Sequence, residues 1–148
     1  MKKALWVLPG IGVLLLDQAV KLIAEGKNHI LIPGVLALNS VHNTGAAMGI
    51  MHGNTALVLI LSLLIIAAGI WMLRGMRPGP WAVVSLSLIA GSAAGNMLDR
   101  VILGYVRDMF EVLFIDFYVF NIADAGVVCG TALCAFSLLF RPQDWSKK

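Results

Sequence analysis

Charge is scarce in this 148-residue chain: Asp, Glu, Lys and Arg together make up 13% of it, against roughly 25% in soluble globular proteins. With 59% hydrophobic residues and a mean hydropathy of +0.89, this excludes an ordinary soluble domain. The chain reads as an integral membrane protein. Cysteine is almost absent too. Cys129 and Cys134 stand at i and i+5 in one apolar segment, about 140° apart around a helix, so they are poorly placed to bridge and read as small packing residues. His29, His42 and His52 are scattered through one polar loop without ligand-like spacing, so they read as solvated and no metal is expected. No Ser/Pro-rich linker, low-complexity tract or repeat divides the chain, which is taken as one domain over 1–148. Nor is there a basic stripe with interleaved aromatics, and no nucleic acid partner is expected.

What the chain does have is hydrophobic length. A helix needs about 20 mostly apolar residues to cross a hydrocarbon core, and four segments qualify: 4–24, 55–73, 80–98 and about 117–140. The second and third carry no charge, whereas the first contains Asp17 and Lys21 and the fourth contains Asp124. A cleavable signal peptide competes for the first, because Lys2 and Lys3 precede an apolar run. Asp17 and Lys21, however, are opposite charges at i and i+4, and the apolar pattern resumes after them, which favours a retained span. Lys2, Lys3, Arg74, Arg77, Arg141, Lys147 and Lys148 fall on one side, and only Lys27, Arg100 and Arg107 on the other. By the positive-inside rule both termini are expected in the cytoplasm, with loops 25–54 and 99–116 outside.

The acids are few and oddly placed. An ionised carboxylate near a bilayer centre costs about 2.5–3.5 kcal/mol on insertion scales, so Asp124 needs a reason. Asn121 stands three residues before it, on the same face of a continuous helix. Asp108, in Gly104-Tyr105-Val106-Arg107-Asp108, approaches the same outer surface; alone it would pass as a solvated loop acid. Near the outer end of the third span, Asn96, Asp99 and Arg100 fall at i, i+3 and i+4, so their polar groups share a face. Gly91 and Gly95 form a small-xxx-small pair that admits a neighbouring helix. In the first outer loop, residues 35–42 read as an extended segment ending in a turn, Asn43-Thr44-Gly45-Ala46-Ala47.

If Asp108 and Asp124 meet, their chemistry is constrained. Two carboxyls in one dry polar pocket hold a single proton near neutral pH. The ionised member can take a proton from water while the protonated one polarises a carbonyl or protonates a leaving amine. That is amide hydrolysis without metal, serine or cysteine. The nearby amides and Arg100 are placed to hold a substrate backbone and lipid head group, with Asp17 and Lys21 bracing the bundle as a desolvated pair.

Together these motifs resemble the lipoprotein signal peptidases, or signal peptidases II. The likeness runs from Asp17 to about Val127 and rests on five elements in order: Asp17-Gln18-x-x-Lys21, Asn43-Thr44-Gly45-Ala46-Ala47, Gly95-Asn96-x-x-Asp99-Arg100, Gly104-x-Val106-x-Asp108 and Phe120-Asn121-x-Ala123-Asp124. It implies an all-α membrane protein with four transmembrane helices and a small extracytoplasmic β-sheet formed largely by the first outer loop. It further implies an aspartyl endopeptidase of the bacterial inner membrane, acting near the outer face without a cofactor. Such an enzyme removes the signal peptide of prolipoproteins on the N-terminal side of a diacylglyceryl-modified cysteine. Its partners would be those substrates and membrane lipids, and the protein would be a monomer. Carried over, the catalytic pair is Asp108 and Asp124. Asn43, Asn96, Arg100 and Asn121 bind substrate or orient the pair, and Asp17, Lys21, Gly45, Gly95 and Asp99 support them. Met48 and Met109 stand where Phe is common, Ser92 replaces a frequent Gly, and the Pro often found before Phe120 is absent. These changes affect pocket shape more than polar chemistry.

Two other classes compete. A small proton-coupled carrier or channel predicts polar residues through the depth of the bundle. A structural assembly protein predicts that Asp108 and Asp124 matter for folding or association only.

Overall fold

The computed structural model describes residues 3–45 and 53–146. Ala46, Ala47, Met48 and His52 lie outside the described residues. A 3-10 turn, Lys3–Val7, leads into helix α1 (Leu8–Ala24), followed by strands β1 (Asn28–Ile32) and β2 (Leu36–Asn43). Helix α2 (Thr55–Leu73), helix α3 (Pro80–Leu103), strand β3 (Val106–Val112) and helix α4 (Ile122–Phe140) complete the order, with a closing 3-10 turn at Pro142–Trp145. The stretches Leu5–Ala24, Pro80–Leu103 and Ile122–Phe140 are long and apolar enough to cross a membrane, and α2 contributes a shorter apolar stretch, Thr55–Trp71.

α3 is the central helix. It packs against α1 on one side and α4 on the other, with α2 beside it at the periphery. Small residues permit this closeness, as a side chain built on Gly91 would collide with the backbone of Gly10, and one on Gly126 with the Ser92 hydroxyl. Pro80 opens α3 in its first turn, where the missing N–H is not needed. Gly104 closes it with φ 82°, a left-handed conformation that glycine adopts without strain. The helix therefore runs past Leu98, and Asp99 and Arg100 are helical residues instead of the start of an outer loop.

At one end of the bundle lies an antiparallel sheet of order β1-β2-β3. Two strands come from the stretch between α1 and α2, one of them over the expected extended segment, but β3 comes from the stretch between α3 and α4 and carries Arg107 and Asp108. Their charges resemble loop residues in sequence. In space both side chains are buried and both have polar partners. Residues 117–121 are not helical, so α4 starts later than the expected span at about 117. Phe120 bridges to Phe110 through backbone hydrogen bonds of 2.8 and 3.0 Å, and Asn121 then caps α4.

Candidate active site

α4 begins with a reciprocal capping box. The Asn121 side chain accepts from the Asp124 amide at 2.9 Å, and the Asp124 carboxylate accepts from the Asn121 amide at 3.2 Å. Asn121 is thus the residue before the helix, not a helical neighbour of Asp124. Its side-chain amide donates to Asp108 Oδ1 at 2.6 Å and to Asn96 Oδ1 at 3.1 Å. The two aspartates are accordingly tied to one asparagine, Asp124 through its cap and Asp108 through its side chain. Asn43, the last residue of β2, donates to the other Asp108 oxygen at 2.9 Å. Gly45 donates back to Asn43 Oδ1, which fixes that amide's orientation.

Asn96 is oriented from beneath. Lys21 Nζ donates to its Oδ1 at 2.8 Å, so its amide nitrogen faces Asp124 Oδ1, at 2.9 Å. Lys21 also pairs with Asp17 at 2.8 Å and Asp99 at 3.3 Å, and Lys21 and Asp17 have 0% side-chain exposure. The second oxygen of Asp17 accepts from the Ala123 amide in the first turn of α4, which places negative charge at a helix N-terminus. Gly95 leaves room for this carboxylate, since a Cβ there would lie 2.7 Å from Asp17 Oδ2.

Asn96, Asp99 and Arg100 do not act as one face. Asp99 turns to the ionic cluster, where Arg107 donates to it at 2.7 Å and Gln18 at 3.2 Å. Arg100 turns to the cavity, with Nη2 donating to the Gly45 carbonyl at 2.9 Å, and its Nε is buried without a hydrogen-bond partner among the described residues. Arg107 and Gln18 are the structural residues that sequence reasoning missed. Arg107 entered the sequence reading only through the charge asymmetry, yet its bonds to Asp99 raise its proton affinity and tie β3 to α3. Gln18, three residues before Lys21, bridges Arg107, Asp99 and the Gly95 carbonyl. His42 is exposed, as expected of a solvated residue, and its ring, at the cavity wall, also stacks on Tyr105 at 3.9 Å.

The cavity measures about 720 Å³ and is lined by Asn43, Asn96, Arg100, Asp108 and Asp124 as its polar floor. Phe117, Tyr118, Val128 and Cys129 form apolar walls, so Cys129 is exposed on this surface instead of packed in the bundle. Asp108 is only 3% exposed. Burial raises its pKa from 3.8 to about 6; the Asn43 hydrogen bond opposes that shift and the nearby Asp124 charge adds to it. A carboxyl that titrates near neutrality, beside a second carboxylate in a cavity, is equipped for proton transfer.

The profile of the family described as signal peptidase (SPase) II matches residues 10–140. The lipoprotein signal peptidase of Streptococcus thermophilus is 37% identical over 129 residues, covering 86% of this chain and 76% of that protein. That of Enterococcus faecalis is 34% identical over 130 residues, covering 87% and 80%. That of Lactobacillus gasseri is 32% identical over 145 residues, covering 94% of each. Among solved structures, two described as bacterial membrane enzymes superpose with TM-scores of 0.83 and 0.80 at 29% and 30% identity. The first match covers 100% of this chain and 95% of the other, the second 95% and 96%. With the profile spanning most of the chain and these relatives aligned along nearly its full length, the chain belongs to the signal peptidase II family of proteases.

Proposed function

We propose that this protein is an aspartyl endopeptidase that removes signal peptides from bacterial prolipoproteins, cutting on the N-terminal side of a diacylglyceryl-modified cysteine. The observation that carries the reading is the joint placement of Asp108 and Asp124 on one cavity, bonded to the same Asn121. One carboxyl, ionised, takes a proton from water as the oxygen adds to the scissile carbonyl. The other, protonated, hydrogen-bonds the developing oxyanion. The proton gained by the base then passes to the departing cysteine nitrogen as the C–N bond breaks. Asn96, Asn121 and Asn43 hold the carboxyls in position, and Arg100 offers the substrate a cation, its Nε having no hydrogen-bond partner among the described residues. Asp17, Lys21, Asp99, Gly45 and Gly95 brace this floor.

The protein acts as one membrane domain with four spans, α2 being the fourth, and with both termini cytoplasmic. The sheet and the cavity then face outward, and the apolar wall of Phe117, Tyr118 and Val128 receives the lipid-bearing part of the substrate. No cofactor enters the scheme. A proton-coupled carrier would need ionisable groups across the bundle. Here Asp17, Lys21, Asp99, Arg100 and Asp124 gather at one end, which weighs against that alternative.

The test uses a prolipoprotein bearing the diacylglyceryl group and the same precursor without it, each incubated with purified protein in lipid, with products identified by mass. The proposal expects one cut immediately before the modified cysteine and little cleavage of the unmodified precursor. Equal cleavage of both, or a cut elsewhere, overturns the substrate assignment.

A further inference from the structure

The far end of the sheet is apolar without an interior to bury it. β1 exposes consecutive residues Ile30, Leu31 and Ile32, which alternate between the two faces of the strand, and Ile30 is 63% exposed. The segment after β3 adds Phe114, 64% exposed, and Ile115. The two stretches form one end, because the Leu113 amide donates to the Val35 carbonyl at 2.9 Å. No Asp, Glu, Lys or Arg occurs from 28 to 43, and Asp116 is the one charge from 112 to 119. In water, an edge strand apolar on both faces is an aggregation site.

The path of the backbone beyond the tip points to an occupant. After Ile115 the chain turns back, and Phe117 and Tyr118 line the same cavity as Val128 and Cys129. Those two residues lie in the second turn of α4, in a stretch apolar enough to cross a membrane. The loop that carries the apolar tip therefore runs back along the first turns of α4 and shares an apolar surface with Val128 and Cys129. Aromatic and aliphatic side chains at such a level, with almost no charge, match the boundary between head groups and acyl chains.

We infer that the sheet tip, with Leu31, Phe114 and Ile115 at its apex, inserts into the outer interface of the same bilayer that holds the helices. It anchors β3, and with it Asp108, at a fixed height above α4. Only the kinetic consequence of this anchoring rests on the peptidase reading.

Phe114→Cys, made in a background with Cys129→Ala and Cys134→Ala, is labelled with an environment-sensitive fluorophore and placed in lipid nanodiscs holding one copy each. The inference expects blue-shifted emission, quenched by lipid-borne nitroxides and shielded from aqueous iodide, while a label at Asn28→Cys remains open to iodide. Water-like emission at 114 overturns it. So does shielding seen only when a disc holds two copies, which would make this face a contact between chains. In a second arm, Phe114→Asp combined with Ile115→Asp raises KM for a bilayer-embedded precursor and leaves cleavage in detergent micelles unchanged. If neither protein cleaves in any medium the peptidase reading fails, and the depth measurement still decides the anchor.

Discussion

A single buried hydrogen-bond acceptor, Asp108, shows what a buried carboxyl costs this fold. Its carboxyl titrates at about 6 in the fold against an ordinary 3.8. Because the folded state holds this proton more tightly, the contribution of Asp108 to stability is fully present below pH 3.8 and is lost as pH rises through about 6, by about 3 kcal/mol in all. Asp108→Asn removes that charge but leaves one amide donor facing a donor, a loss of about 1–2 kcal/mol. The variant is expected to unfold at or slightly above the wild-type midpoint at pH 7 and below it at pH 4, measured by thermal unfolding in detergent. Asn43→Ala tests the same carboxyl from the other side. The Asn43 bond favours the ionised form, so its loss moves the limb of the pH–rate profile near 6 to higher pH, whatever it does to the maximal rate. Asp124 was legible in the sequence, as an acid inside an apolar run. Asp108 was legible only with its partner, and Arg107 and Gln18 were not, because a surface charge and a buried bridging residue look alike until the strand is folded over α3.

At the level of elements, helices were readable and their ends were not. Apolar length announces a spanning helix, but the start of α4 is set by Asn121 and Asp124 capping one another, and the end of α3 by a left-handed Gly104. β3 was hidden because Val106–Met109 is buried against helices and a neighbouring strand at once, so no alternation marks it. The α1–α3 contact supplies a prediction at this scale. Gly95→Ala would bring a methyl to 2.7 Å from the Asp17 carboxylate, which also holds Lys21 and the first turn of α4. A loss of about 1–3 kcal/mol in stability is expected, together with reduced activity. Gly12→Ala has no neighbour within 4 Å, and its thermal midpoint should be unchanged or higher. Equal effects at the two positions would mean that the close approach of α1 and α3 is not what Gly95 provides.

The whole molecule joins an apolar bundle to one ionic end. Asp17, Lys21, Asp99 and Arg107 form a buried cluster with two charges of each sign, which spares the fold an uncompensated buried charge. The asymmetry of the remaining basic residues predicts the orientation. A cysteine placed at Ser146 in a Cys129→Ala, Cys134→Ala background should react with a membrane-impermeant thiol reagent from the cytoplasmic side only, and one at Asn28 from the outside only. Composition made the membrane class and the helical bundle plain, since length and hydropathy act locally along the chain. The assembly of the cavity was not plain, because it depends on how far two loops fold back over α3 and α4. The most direct test of the central claim is the rate at which purified Asp108→Asn and Asp124→Asn proteins, each shown to be folded, cleave a diacylglyceryl-modified prolipoprotein. Loss of cleavage in both is the predicted result, and wild-type cleavage by either would contradict the dyad.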